Sequence, residues 1–160
     1  MNERDIPVRL VDTNAYMEMI RGLLEEGNEV PMIITGNSMS PFMVHERDRI
    51  LIRKASFPMK KGDMAFFQRR DGHYVMHRIV RVKDGKYYFV GDAQTWIEGP
   101  IDEEQIFGEI ISVCRKGKWI GPKDFWWKFF RYIWLNIIPL RPAVRGAYSL
   151  FCRLIRKKGN

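Results

Sequence analysis

Residues 61–92 read KGDMAFFQRRDGHYVMHRIVRVKDGKYYFVGD, and their punctuation decides the fold. Lys61-Gly62-Asp63 turns into an apolar run, Met64 to Gln68. Asp71-Gly72 is a strong hairpin turn and feeds His73 to Val82, where side chains alternate in character. Asp84-Gly85 is a second hairpin turn, leading into Lys86 to Val90. Outward from this stretch the pattern continues. Arg49 to Lys54 sets Ile50 and Ile52 against Arg49 and Arg53, and Pro31 to Thr35 is a short apolar strand. Gln105 to Cys114 and Lys118 to Ile120 close the series around Lys116-Gly117. Many short strands with regular turns imply a mainly β domain over residues 30–121, antiparallel, curled and partly closed.

The flanks read differently. Residues 1–29 are an amphipathic helical segment: Asp12 or Thr13 can cap a helix running to about Glu26 and stopped by Gly27. Tyr16, Met19, Ile20, Leu23 and Leu24 form its apolar stripe. Residues 122–160 are an aromatic and basic tail. Asp124 opens a helix to about Ile138, and a second helix starts near Pro142. The expected arrangement is a helical hairpin lying in a membrane surface; the bland alternative packs it back on the β domain or makes it a dimer contact.

Charge supports that partition. Residues 1–114 hold 15 Lys+Arg and 18 Asp+Glu, a balance of −3, while residues 115–160 hold 12 and 1, a balance of +11. Basic residues interleaved with aromatics favour an anionic lipid surface. No nucleic-acid partner is expected, because the aromatics form a continuous apolar run. The first residues carry scattered charges and no apolar core of a cleavable signal peptide. The best spanning candidate, Phe125 to Leu140, contains Lys128 and Arg131, so no transmembrane span is expected. Cys114 and Cys152 show neither metal-ligand spacing nor a disulfide framework, and no metal or cofactor is expected.

The chemistry centres on Gly36-Asn37-Ser38-Met39-Ser40-Pro41 and on His77 in Val75-Met76-His77-Arg78-Ile79. A serine between Gly36 and Pro41 sits on a forced turn, and a histidine inside a strand has a fixed direction. The pair has the character of a nucleophile and a base on two rigid elements. Gly36, Asn37 and Met39 are candidates for the oxyanion and substrate cleft, with backbone N–H groups as donors. Met32 and Phe42 are further candidates for the groove. An imidazole titrating near its ordinary pH 6.5 is a base at neutral pH. His45 is a weaker alternative base, and His73, beside the Asp71-Gly72 turn, is expected to be solvated. Asp48 and Asp63 read as turn-stabilising residues.

The serine box resembles the Gly-x-Ser-Met-x-Pro segment of the type I signal peptidase family. Arg47-Asp48-Arg49-Ile50 resembles the Gly-Asp-x-Val segment that follows it, with Arg47 in place of glycine. Lys61-Gly62-Asp63-Met64-Ala65-Phe66 is similar to the next Gly-Asp segment. His77-Arg78-Ile79-Val80 resembles the His-Arg segment of the endoplasmic-reticulum type, and Gly91-Asp92-Ala93-Gln94 the later Gly-Asp segment. The boxes occur in order over residues 32–114. The resemblance, to the superfamily that joins signal peptidases with LexA-like self-cleaving repressors, implies a serine endopeptidase. It implies Ser38 as nucleophile, His77 as base where bacterial relatives have lysine, Asp92 as the orienting third member and Glu98 as a second acid. It also implies a peptide or preprotein bound as an extended strand, with small residues near the scissile bond.

One departure shifts the expected setting. Signal peptidases carry a spanning helix before the serine box, whereas residues 1–30 here cannot span. The expectation is therefore a peripheral, membrane-associated enzyme on the cytoplasmic side, cleaving signal or leader peptides. The alternatives are a catalytically silent peptide-binding scaffold and a LexA-like self-cleaving regulator. The latter is disfavoured, since the residues before the box make no helix-turn-helix and His77 replaces the lysine.

Overall fold

The computed structural model describes residues 13–148. Helix α1 (Thr13–Glu25) is followed by eight strands: β1 (Val30–Ile33), β2 (Arg49–Lys54), β3 (Met64–Gln68), β4 (Tyr74–Lys83), β5 (Lys86–Val90), β6 (Glu98–Ile101), β7 (Ile106–Arg115) and β8 (Lys118–Ile120). They form one antiparallel sheet in the order β1-β2-β7-β3-β4-β5-β6, with β8 also on β7. The sheet curls without closing. The register slips between Leu51 and Ile52, Phe66 and Phe67, Ile79 and Arg81, and Tyr87 and Phe89, irregularities of the kind that bend a strand. The mainly β architecture matches the expectation from the turn pattern.

β6 has no counterpart in the sequence reading, because Gly99-Pro100 argues against a strand. It forms at the end of the sheet, where a residue lacking an N–H costs no ladder bond. It carries Glu98 in register with Phe89 of β5.

Strand alternation splits the core in two. Ala65, Phe67, Ile79, Phe89 and Ile106 lie on one face with Met59 and Tyr87. Met64, Ile50, Ile52 and Phe107 lie on the other, with Met17, Ile20 and Leu24 of α1. The buried stripe of α1 therefore runs through Met17, and Met19, assigned to that stripe from spacing, is 55% exposed.

The C-terminal segment corrects two expectations. The single helix predicted from Asp124 is broken into α2 (Phe125–Lys128), a π-helical turn (Phe129–Ile133) and a 3-10 stretch (Trp134–Leu140). Ile137 leaves helical geometry and Pro139 follows it. A further helix occupies 141–148. This segment packs on the β domain and does not stand off as an independent hairpin. Trp127, Phe130 and Trp134 join Phe42 and Met43 in the larger core cluster. Phe42 meets Phe130 at 4.7 Å and Trp127 edge-on at 6.0 Å. Burial of each such side chain contributes roughly 1.5–3 kcal/mol, more than an exposed helix gains from propensity. The opposite face keeps Phe125, Trp126, Tyr132, Ile133, Leu140, Val144 and Tyr148 exposed. No helix among the described residues is long and apolar enough to cross a membrane.

Candidate active site

Ser38 lies on the turn that follows β1. Gly36 takes φ +87°, a region glycine enters without a Cβ penalty. Its N–H donates to His45 Nδ1 at 2.9 Å, and Ser40 N–H donates to Asn37 O. Ala93 N–H donates to Ser38 O at 2.8 Å, tying the turn to the loop after β5. Met39, Phe42 and Met43 are buried beneath, leaving Ser38 half-buried. Two expectations change accordingly. Gly36 N–H is committed to His45 and is not free for an oxyanion, and the Met39 side chain belongs to the core. Asn37 remains exposed at the rim.

His77 sits in β4 opposite Ala65 of β3 and is 2% exposed. Phe67 and Trp96 approach its ring edge-on at 6.3 and 6.2 Å. Burial among these rings pushes the imidazole down to about 4, overcoming the opposite pull of Glu98 and reinforced by Arg69. The ordinary value assumed from sequence does not apply. Among the described residues Nδ1 is buried without a hydrogen-bond partner, and the Glu98 Oε2 carboxylate oxygen stands 3.6 Å away. Glu98 is itself held through both oxygens by Arg69, with Nη2–Oε2 at 2.8 Å.

Asp92 does not stand where an orienting third member would. His77 and Arg78 are neighbours on a strand, so they face opposite sides of the sheet. Arg78 takes both Asp92 oxygens, at 3.0 and 2.9 Å, with both residues fully buried, and also donates to Gly62 O. The Asp92 carboxylate is thus a structural counter-ion, and the acid beside His77 is Glu98. The adjacency of Arg78 to His77 held that signal in the sequence, since an arginine on the buried side of a strand requires an acid.

Ser38 and His77 line one cleft of about 880 Å³, with β1 along one wall, β4 along the other and α1 at one end. Consecutive residues line both walls, Pro31 to Thr35 and Tyr74 to His77, as strand edges do. Among the described residues, β1 pairs only with β2, and β5 pairs with β4 only from Arg78 onward, which leaves both edges free there. Met32 reaches the cleft, as do Arg69 and Gln94. Phe42 is core.

The remaining candidates have local roles. His45 lies between Gly36 N and Glu46. His73 is exposed and pairs with Asp71. Asp48 accepts from Val44 N and holds Arg47, and Asp63 accepts from Lys60 N and pairs with Arg131. Sequence reasoning missed Arg69, Trp96, Trp134 and Arg141. Their spacing carries no motif, and only the fold brings them to the site.

No curated protein matches the sequence. A family model described as Peptidase S24-like matches residues 7–111, well over half of the chain. Helix α1, strands β1 to β6, the glycine turn bearing Ser38 and the histidine strand lie within that span, and the chain belongs to the Peptidase S24-like family of the LexA and signal peptidase superfamily.

Proposed function

We propose that the protein is a serine endopeptidase in which Ser38 attacks a peptide carbonyl and His77 accepts its proton. The observation that carries this reading is the shared cleft: a half-buried serine and a buried histidine line it together. With Nδ1 turned toward Glu98, Nε2 is the nitrogen that takes the hydroxyl proton. Glu98 then stabilises the imidazolium, the role the resemblance had given to Asp92. Ser38 N–H is the favoured oxyanion donor. An extended peptide fits between the free edges of β1 and β4 and pairs with both, its side chains alternating between the walls. The test is cleavage of a peptide mixture read by mass spectrometry. Wild type should cut, and Ser38→Ala and His77→Ala should not; equal cleavage by all three overturns the proposal.

The substrate class is a signal or leader peptide processed at a membrane surface, with the enzyme peripheral on the cytoplasmic side. The exposed aromatic face of the C-terminal segment, flanked by Lys123 and Lys128, supports docking on anionic lipid. Sedimentation with vesicles tests it. Vesicles of phosphatidylcholine with phosphatidylserine should retain the protein, and the Phe125→Ser, Trp126→Ser double variant should bind them weakly. Equal retention of both proteins sinks the lipid reading.

A further inference from the structure

Arg141 presents an unusual balance of forces. Its guanidinium is fully buried, yet among the described residues none of its hydrogen bonds goes to a carboxylate. Nη1 donates to Gly91 O and Gln94 O, both at 2.8 Å, and Nε and Nη2 donate to Trp134 O. A buried cation costs several kcal/mol unless its donors are satisfied, and carbonyl oxygens are here the only direct return. An apolar side chain of similar size would leave the Gly91, Gln94 and Trp134 carbonyls without these donors, so the arginine holds backbone geometry.

The target of that geometry is one loop. Trp134 Nε1 donates to Asp92 O at 2.8 Å, and Arg145 donates to Ala93 O. Together with the Arg141 bonds, the carbonyls of Gly91, Asp92, Ala93 and Gln94 are all held from the C-terminal segment. The same loop returns Ala93 N–H to Ser38 O. Its approach to the serine turn is close: a Cβ on Gly91 would lie 2.6 Å from Ser38 O. Phe130 and Trp127 press on Phe42, four residues beyond Ser38. The segment that supplies these contacts lies outside the residues matched by the family model.

We propose that Trp134 and Arg141 are positioning residues for Ser38, clamping the 91–94 loop so that Ala93 N–H fixes the serine carbonyl. The inference rests on the peptidase reading for its catalytic consequence. A nucleophile displaced by about 1 Å can lose on the order of 100-fold in rate, so a clamp on its backbone acts mainly on kcat.

Two readouts on the full chain test it: hydrogen exchange of the Ala93 amide, and the rate at which Ser38 displaces fluoride from an alkyl fluorophosphonate. Arg141→Met and Trp134→Phe should speed Ala93 exchange and slow labelling by about tenfold or more, with KM for a peptide substrate changed by no more than about twofold. Arg141→Lys should recover part of both. Lys61→Met, which removes the exposed contact to Asn136 on the same segment, should behave as wild type. Where Arg141→Met fails to fold, Arg141→Lys and Trp134→Phe decide. Either readout moving without the other overturns the proposal, as does a Lys61→Met variant impaired to the same degree. If wild type is not labelled, the rate of peptide cleavage takes the place of labelling; if wild type does not cleave either, the peptidase reading fails, and Ala93 exchange alone decides the clamp.

Discussion

His77 shows how burial sets chemistry at a single residue. Its imidazole is held down to about 4 by desolvation, so it is neutral at physiological pH. The acid limb of kcat/KM should therefore have a midpoint near 4 and not near 6.5, as a pH–rate profile of the free enzyme would read. Stability follows with a definite sign. Between pH 6.5 and 4 the unfolded chain binds the proton that the folded chain refuses. The protein therefore loses stability as pH falls through that window, by up to about 3 kcal/mol, measurable by urea unfolding at each pH. The two flanking charges should move the acid limb in opposite directions. Glu98→Gln removes the pull that raises His77 and should shift the limb lower, while Arg69→Gln removes a lowering charge and should shift it higher. Shifts of the same sign would contradict the electrostatic assignment. Asp92→Asn belongs to a different class. It strips a fully buried arginine of its counter-ion and should cost about 3–5 kcal/mol in denaturant unfolding.

At the scale of elements, the site is a junction of the serine turn, the 91–94 loop and the β4–β6 face. Gly91 shows how little slack that junction has. A methyl there would meet Ser38 O at 2.6 Å and Gln94 Oε1 at 2.7 Å. Gly91→Ala must push the loop off the turn, at roughly 1–3 kcal/mol and with a slower Ser38 reaction, both readable in one unfolding and labelling series. An unaltered rate would mean that the loop and the turn move independently. The strands were largely legible because hairpin turns and alternation are local signals. Arg49–Lys54, Met64–Gln68, Lys86–Val90 and Lys118–Ile120 stand where the pattern put them. β6 was hidden because its four residues contain Gly99-Pro100 and are held by an edge position that no local rule encodes.

Across the whole molecule, the C-terminal segment is part of the fold. Trp127, Phe130 and Trp134 are buried in the same cluster as α1 and the sheet. Each truncation of such a residue to alanine costs about 3–5 kcal/mol, against a total stability of about 5–15 kcal/mol for a domain. Deleting residues 122–160 should accordingly leave the β domain unfolded or aggregated, with loss of the cooperative thermal transition. A truncated chain that melts like wild type would show that the core closes without the segment. For the same reason, lipid binding is better tested by exposed substitutions at Phe125 and Trp126 than by deletion. The tail's composition was plain in the sequence, but its two faces were not. A continuous aromatic run looks the same to a sequence reader whether one side is packed on Phe42 or all sides are free.

By itself the sequence determined the antiparallel β domain, the serine turn and the histidine strand, because turn chemistry, alternation and a short ordered motif are local properties of the chain. It also determined the helical capacity of both flanks. Only the tertiary structure decided which side chain each acid meets. Asp92 and Glu98 lie six residues apart, yet strand parity sends one to Arg78 and the other toward His77. Only the tertiary structure lowered the histidine, since desolvation depends on Phe67 and Trp96 arriving from other elements. The role of Arg141 was decided there too, because a guanidinium declares its acceptors only when the chain has folded around it.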